Sequence, residues 1–444
     1  MRTYYWNAAQ NDNPLKTPFL GQFVLNDANI RIQDETLISL DQEVSHFEVA
    51  VPADVRSQLI SRNELLTSFA ISKAEKTNRL NIEEMRQIRA DVNSGTGGPQ
   101  PFSNPVVEPL KKPKKAHDRL EYANILRTFR WSLEKGNITA GNLSIDLICR
   151  VHAGLTDGLD FFEDKIMEFD PSRPGIIRDN DDIRVREYKP IDAKNIVTEL
   201  EELIHFYREA PSLRNLGLFH AGLYALHPFN NGNKRLCRIL EHALIRDLGL
   251  NRGNIYSHSY FYYKQMNRFY STLLKGLLSK NFTPIVNFGR EAIFFSQLDV
   301  FRASIEQQRT SFIKNNLPPG AGTKEGQGRV YSMFIKNKEL NFTKIMKMAR
   351  KMPDRTVAEY LKQGLARNVL EKRDIGKYSY YSLKLNTDEE QFLRERISSQ
   401  AGSIETMPEN FFASVYRSGE DWKPAGQGPG ESVEKTEPEQ GPAP

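Results

Sequence analysis

Twelve residues from His227 to Arg238, HPFNNGNKRLCR, place an imidazole, a glycine turn and three cations ahead of an apolar run through Ile239, Leu240, Ala243, Leu244 and Ile245. The first N–H groups of a helix lack intrahelical partners and point along the positive end of the helix dipole, so a turn leading into a helix is a natural anion site. Gly232 lets the backbone approach an anion closely, and Asn233 tolerates left-handed turn geometry while offering an amide to a phosphate oxygen. Lys234, Arg235 and Arg238 then crowd positive charge at a helix end that opposes it, which makes sense around a polyphosphate. Arg235 and Arg238 share one helical face, and guanidinium forks suit phosphate oxygens. His227, on the far side of the turn, is a candidate general base, a role typically worth about 10²- to 10⁴-fold. Pro228 and Phe229 fix the loop, with the ring buried.

Most windows between residues 116 and 300 have helical periodicity: 122–133, 143–155, 193–207, 213–226, 234–248, 262–278 and 283–298. The exception, PGIIRDNDDIRVREYKP (174–190), contains the alternation Ile183-Arg184-Val185-Arg186 and reads as a short strand or hairpin. Residues 1 to about 50 show short apolar alternations, such as Leu37-Ile38-Ser39-Leu40, and are expected to be irregular or partly β. Helical spacing begins at 52 and continues to 92. The stretch 93–115 is dense in Gly, Pro and Ser and then basic, and reads as a linker.

After residue 318 a smaller unit follows. Two short helical segments, a third helix at 353–370 and an alternation around Gly376 form the pattern of a winged helix-turn-helix. Between Lys324 and Lys384 stand 15 Lys/Arg against 6 Asp/Glu, a local +9 that exceeds the formal +5 of the whole 444-residue chain. Arg355 and Lys362 fall on the expected recognition helix, which points to phosphate contact with DNA. The expected division is 1–115, 116–300, 301–385 and a tail at 386–444, disordered from about 400.

Hydrophobic content of 39% and charged content of 26% are ordinary for a globular protein. Two cysteines, Cys149 and Cys237, suit a reducing compartment and argue against a disulfide framework. No secretory leader and no uninterrupted run of about 18 apolar residues is found, so the chain is expected to be cytoplasmic, with no membrane partner.

The segment HPFNNGNKRLCR resembles the signature of the Fic (Fic/Doc) family, His-Pro-Phe-x-acid-Gly-Asn-Gly-or-Lys-Arg-x-x-Arg, and the resemblance extends from about residue 52 to 300. FHAGLYALHPF resembles the helix leading into the motif, with His220 upstream of His227; PGIIR resembles the family's Pro-Gly-x-x-Arg before its flap; residues 255–273 resemble the helix that follows. The resemblance implies a mainly α bundle with a β-hairpin flap, followed by a winged helix, and transfer of AMP from ATP to a Tyr, Ser or Thr hydroxyl of a target protein, self-modification included. It makes His227 the base and Phe229 the loop anchor. Gly232, Asn233 and Lys234 become the nucleotide cradle, Arg235 the β-phosphate ligand and Arg238 the γ-phosphate ligand. The flap, with Ile183, Val185 and Tyr188, pairs with an extended target segment by strand addition.

Two departures follow. Asn231 stands where the family has the acid that holds magnesium, and an uncharged amide lowers metal affinity and catalysis with it. Many relatives carry Ser/Thr-x-x-x-Glu on an upstream helix, the glutamate pairing with the last motif arginine. Here Ser68 aligns with the serine but leaves Ser72 at the acid, while alignment from the other side offers Glu75, which is expected to bind Arg238 and inhibit. Three alternatives stay open: a weakened or inactive Fic protein acting as a nucleotide-sensing DNA-binding regulator, a Doc-like phosphotransferase, and a homodimer.

Overall fold

A computed structural model describes residues 11–75, 78–93, 113–166, 172–317, 326–350 and 352–417. The chain is mainly helical and divides into two compact units, 1–300 and 301–444.

In the first unit the helices are α1 (Asp34–Ala50), α2 (Ala53–Ser72), α3 (Ile82–Asn93), α4 (Pro113–Leu133), α5 (Ile145–Thr156), α6 (Asp160–Ile166), α7 (Ile196–Glu209), α8 (Leu213–Leu226), α9 (Asn233–Asp247), α10 (His258–Lys264) and α11 (Met266–Leu278), with α12 (Thr283–Asn316) starting here and running on into the second unit. Their starts follow the chemistry of caps: Ser144, Ser212 and Ser257 each accept a hydrogen bond from the N–H three residues on, which satisfies a donor that the helix itself leaves orphaned. α4 is the hub, packed against α2, α3, α5, α6 and α9. α8 and α9, which flank the motif turn, lie side by side and are buried almost all round. α8 is apolar on nearly every face, whereas α9 buries charged side chains as well, Arg235, Arg238 and Glu241 among them, so the turn sits between two interior helices.

Three expectations are corrected. The described lead-in is not β: α1 occupies 34–50, with Leu37, Leu40 and Val44 buried at helical spacing, and among the described residues before it only Val24 makes an isolated bridge, to Asn281. The described residues of 1–115 belong to the same compact unit as the core. The run 262–278 is two helices, broken at Gln265. The Gly/Pro-rich linker falls almost entirely on 94–112, outside the described residues.

The second unit runs α13 (Gly326–Ser332), β1 (Leu340–Asn341), α14 (Phe342–Ala349), α15 (Asp354–Ala366), β2 (Leu370–Ile375), β3 (Tyr378–Leu383), α16 (Asp388–Ser399) and α17 (Glu409–Val415). The three strands form an antiparallel sheet of order β1-β3-β2, and β2 and β3 are a hairpin turning at Gly376, whose φ is +56°. Its core gathers Val330, Phe334, Ile345, Val357, Leu361, Leu370 and Leu383. The tail is ordered beyond 400: α17 buries Phe411 and Val415, and residues 418–444 lie outside the described residues.

Candidate functional site

α8 ends at His227, whose φ of 49° and ψ of 62° are left-handed. Such a backbone is uncommon outside glycine, and here it turns the chain sharply so that α9 begins six residues later. Phe229 is completely buried and its ring stacks on His152 at 3.8 Å, nearly parallel. The loop is stitched from within. The Asn233 amide donates to the Phe229 carbonyl at 2.7 Å, and its oxygen accepts the Phe229 N–H at 3.0 Å. That side chain is therefore committed to the loop and does not present its amide to a phosphate, which corrects the expectation for Asn233. Gly232 has φ +76°, and a Cβ there would meet His152 Nε2 and Thr156 Cγ2, each at 3.2 Å.

His152 was not singled out from the sequence. Its Nδ1 accepts the Gly175 N–H at 3.0 Å, so its Nε2 carries the proton and donates to the Asn231 carbonyl at 2.9 Å. Burial lowers its pKa to about 4. Arg178 was likewise unassigned, although it closes PGIIR. Its backbone N–H donates to the Pro228 carbonyl at 2.9 Å, and its guanidinium donates to the carbonyls of His227 (2.9 Å), Asn180 (2.7 Å) and Ile191. One buried arginine thus fastens the stem of the flap to the histidine turn.

A cavity of about 300 Å³ opens in front of this turn. Its walls come from Glu75, the flap residues Arg184, Val185 and Arg186, the turn from His227 to Lys234, and Tyr270, Leu273, Leu274 and Leu277 of α11. His227 lies partly buried at its edge, with a pKa lowered to about 4 by burial and, less strongly, by Lys234 and Arg178 against the pull of Glu75. The imidazole is neutral at pH 7 and can accept a proton.

Glu75 is in the site, but not where the resemblance put it. One carboxylate oxygen accepts the Lys234 backbone N–H at 3.1 Å and the other lies 3.0 Å from the Lys234 ammonium. Burial opposes its ionisation, yet Lys234 and Arg235 outweigh burial and hold its pKa below the usual carboxylate range. The residue just before it is tied down as well, since the Tyr270 hydroxyl donates to the Ala74 carbonyl. Ser68 is buried against the Tyr122 hydroxyl, and Ser72 donates to the Phe69 carbonyl.

Arg235 and Arg238 do not reach the cavity. Arg235 is buried in an ion pair with Glu121 of α4 at 2.5 Å, and Arg238 lies with its guanidinium carbon 3.2 Å from the centre of the Tyr262 ring, Glu241 being 3.9 Å away. The expected Glu75–Arg238 pair is therefore replaced by Glu75–Lys234. In the flap, Val185 and Tyr188 exchange both backbone hydrogen bonds around a two-residue turn, but Ile183 and Tyr188 face inward. The Tyr188 hydroxyl donates to the Ala225 carbonyl at 2.9 Å. Val185 faces the cavity; Ile183 and Tyr188 anchor the flap.

The Asn231 side chain is equally committed. Its oxygen accepts from the Gly232 N–H at 2.7 Å and from Arg235 at 3.2 Å, and its amide nitrogen donates to Glu163 at 3.3 Å. An oxygen already facing a guanidinium does not fit a magnesium ligand. Behind the turn, Glu163 also binds Ser172 and approaches His117, and His117, Asp118 and Glu121 bring potential ligand atoms within 4.8 Å of one another. These groups already have partners: Lys114 pairs with Asp118, and Asn78 and Arg235 bind Glu121.

The site is thus a left-handed histidine turn between two buried helices, under a flap held by arginine, with a cleft in front of it. Residues 142–245 match the model of the Fic/DOC family. Among solved structures, a Fic family protein from Desulfovibrio desulfuricans is similar at 15% identity, covering 83% of this chain and 99% of that one, with a TM-score of 0.46. Fic-1 of C. elegans matches at 17%, covering 60% and 70%, with a TM-score of 0.42. A Fic domain containing signaling protein from Bacteroides thetaiotaomicron matches at 13%, covering 61% and 95%, with a TM-score of 0.41. No curated protein matches the chain. No described helix is long and apolar enough to cross a membrane.

Proposed function

We propose that the protein is a Fic-type nucleotidyltransferase that moves AMP from ATP onto a Tyr, Ser or Thr hydroxyl of a protein. The observation that carries this reading is the neutral imidazole of His227 at the edge of a cleft whose floor is the N-terminus of α9. The target's hydroxyl oxygen attacks the α-phosphorus, the bond to the β-phosphate oxygen breaks, pyrophosphate leaves, and His227 takes the hydroxyl proton. The negative charge of the phosphates is met by the first N–H groups of α9 and by the Lys234 ammonium. Tyr270, Leu273, Leu274 and Leu277 give the base an apolar wall. Glu75 holds Lys234 and one of those N–H groups, so it inhibits by standing where a phosphate binds. Arg235 and Arg238 brace the cradle from behind.

ATP labelled at the α-phosphate, and separately at the γ-phosphate, tests this. Transfer of α-label to protein that disappears in His227→Ala supports it. Transfer of γ-label instead makes the enzyme a phosphotransferase, and absence of both, in the Glu75→Gly protein too, ends the reading.

A second reading concerns the other unit, which we read as a winged helix that binds duplex DNA. Its order of helix, strand, two helices and hairpin favours this. So does the exposure of Arg355 and Lys362 on α15.

A further inference from the structure

The outer face of the flap carries positive charge that no carboxylate among the described residues answers. Arg184 and Arg186 both line the cavity and both are exposed, and among the described residues neither side chain has a hydrogen bond or an ion pair. Their neighbours differ: Arg173 is paired with Asp179 at 2.6 Å, and Arg178 is spent on backbone carbonyls. Asp182 and Glu187 are exposed on the same flap but do not line the cavity. Glu75, the cavity's own carboxylate, is already neutralised by Lys234.

The placement of the two guanidiniums is enforced. Ile183 and Tyr188 are buried, and the Tyr188 hydroxyl is bonded to the carbonyl of Ala225, two residues before His227. The inner face being fixed, the remaining residues of the hairpin must face out. Arg186 holds a left-handed φ of 55°, which a branched or long side chain seldom adopts. A strained turn that persists is held by its surroundings, and it aims this side chain at the rim. The facing wall, Leu273, Leu274 and Leu277, carries no charge.

We propose that the flap selects target segments with acidic side chains flanking the hydroxyl to be modified, Arg184 and Arg186 receiving their carboxylates. This rests on the reading of the cleft as a protein-modifying site and names the class of target it takes. Guanidinium forks match carboxylates in two-point geometry, and complementary rim charges steer encounter and set partner choice more than they add raw affinity. Each exposed pair is weak, so two together give a preference of about tenfold that salt erodes.

The test is binding, so it does not depend on turnover. Fluorescent peptides bearing a central tyrosine or serine, identical except for Glu or Gln at the flanking positions, are titrated with the full chain without nucleotide, at low and at physiological salt. The Glu peptides bind about tenfold tighter at low salt, and the ratio shrinks as salt rises. In Arg184→Glu/Arg186→Glu the preference inverts toward Lys-flanked peptides. The double variant should melt with the parent, since both side chains are exposed. Equal affinity for Glu and Gln peptides, no measurable binding of either, or a preference that survives the double reversal overturns the proposal. So does a double variant that loses affinity for ATP while its peptide preference stays, because the guanidiniums then serve phosphates. If peptide selection holds while no label is ever transferred, the proposed reaction falls and the docking surface stands.

Discussion

Glu75 and Lys234 meet twice, through the backbone N–H of Lys234 at 3.1 Å and through its ammonium at 3.0 Å, so one carboxylate occupies both the dipole and the charge that a bound phosphate would need. On the proposed reading of the cleft, a ligand anion would have to displace an internal one. Competition of this kind couples two binding events, typically by 5- to 150-fold.

Glu75→Gln keeps the size of the side chain and removes its charge. ATP affinity, measured by equilibrium titration, is expected to rise roughly tenfold, and self-labelling with it. Lys234→Met makes the opposite comparison: it frees Glu75 but removes the cation, so affinity falls. If Glu75→Gln leaves ATP affinity unchanged, the contact is structural and not competitive.

Burial pushes His152, His220 and His227 each down to about 4. Between about pH 4 and the ordinary 6.5 of an unfolded histidine, the folded chain binds fewer protons than the unfolded one, so stability rises with pH across that window and is lost on acidification through it. His117 works in the opposite direction: burial depresses it, but the bonds to Asp118 and Glu163 prevail and raise its pKa, so its contribution fades as pH rises through the raised value. Thermal melts from pH 7 down to 4 are expected to show a falling midpoint. For the reaction, kcat/KM reports the free enzyme, so its lower inflection should lie near 4, and one near 6.5 would contradict the burial of His227.

The helices and the turn were legible because their signals are local. Apolar spacing marks α8 and α9, and Gly232 takes a positive φ just before a helix, whereas α10, capped by Ser257, starts at His258, ahead of the 262 that spacing gave. The partners of the arginines were not legible, because Glu121 is 114 residues from Arg235, and Tyr262 lies beyond a helix and a loop from Arg238. Spacing shows that Arg235 and Arg238 share a face but not that the face turns inward. The flap failed for a related reason: alternation in Ile183-Arg184-Val185-Arg186 separates two faces without saying which is covered, and only the Tyr188–Ala225 bond decides it. In α1, four residues at 37–40 are too short a window to tell a strand from a helix.

Asn231 invites repair to the family's acid, but its surroundings resist. An aspartate there would set a carboxylate against Glu163, now 3.3 Å from the amide nitrogen, although Arg235 at 3.2 Å offsets part of the repulsion. Asn231→Asp is expected to destabilise by about 1–3 kcal/mol in denaturant titration. The same change should cost less in a Glu163→Gln background, giving a positive coupling in the double-mutant cycle. Additive effects would mean that the two side chains do not interact.

On α15, Arg355 and Lys362 are seven residues apart, two helical turns, and so lie on one face, while Val357 and Leu361 on the other fill the core of the second unit. Both cations are exposed, and neither forms an ion pair with its helix neighbours Asp354 and Glu359, the latter accepting instead from Gln363 at 3.0 Å. α15 buries one side and offers cations on the other, beside a hairpin tipped by Lys377, as the proposed contact with a phosphate backbone requires. Titration of a duplex with the full chain should show affinity falling linearly in log–log form with salt, and Arg355→Ala and Lys362→Ala should each lower the slope by about 1 if the contact is to phosphate. Loss of affinity for one sequence alone would assign that residue to a base edge. An affinity independent of salt would remove nucleic acid as the partner of this unit, and with it the regulator reading.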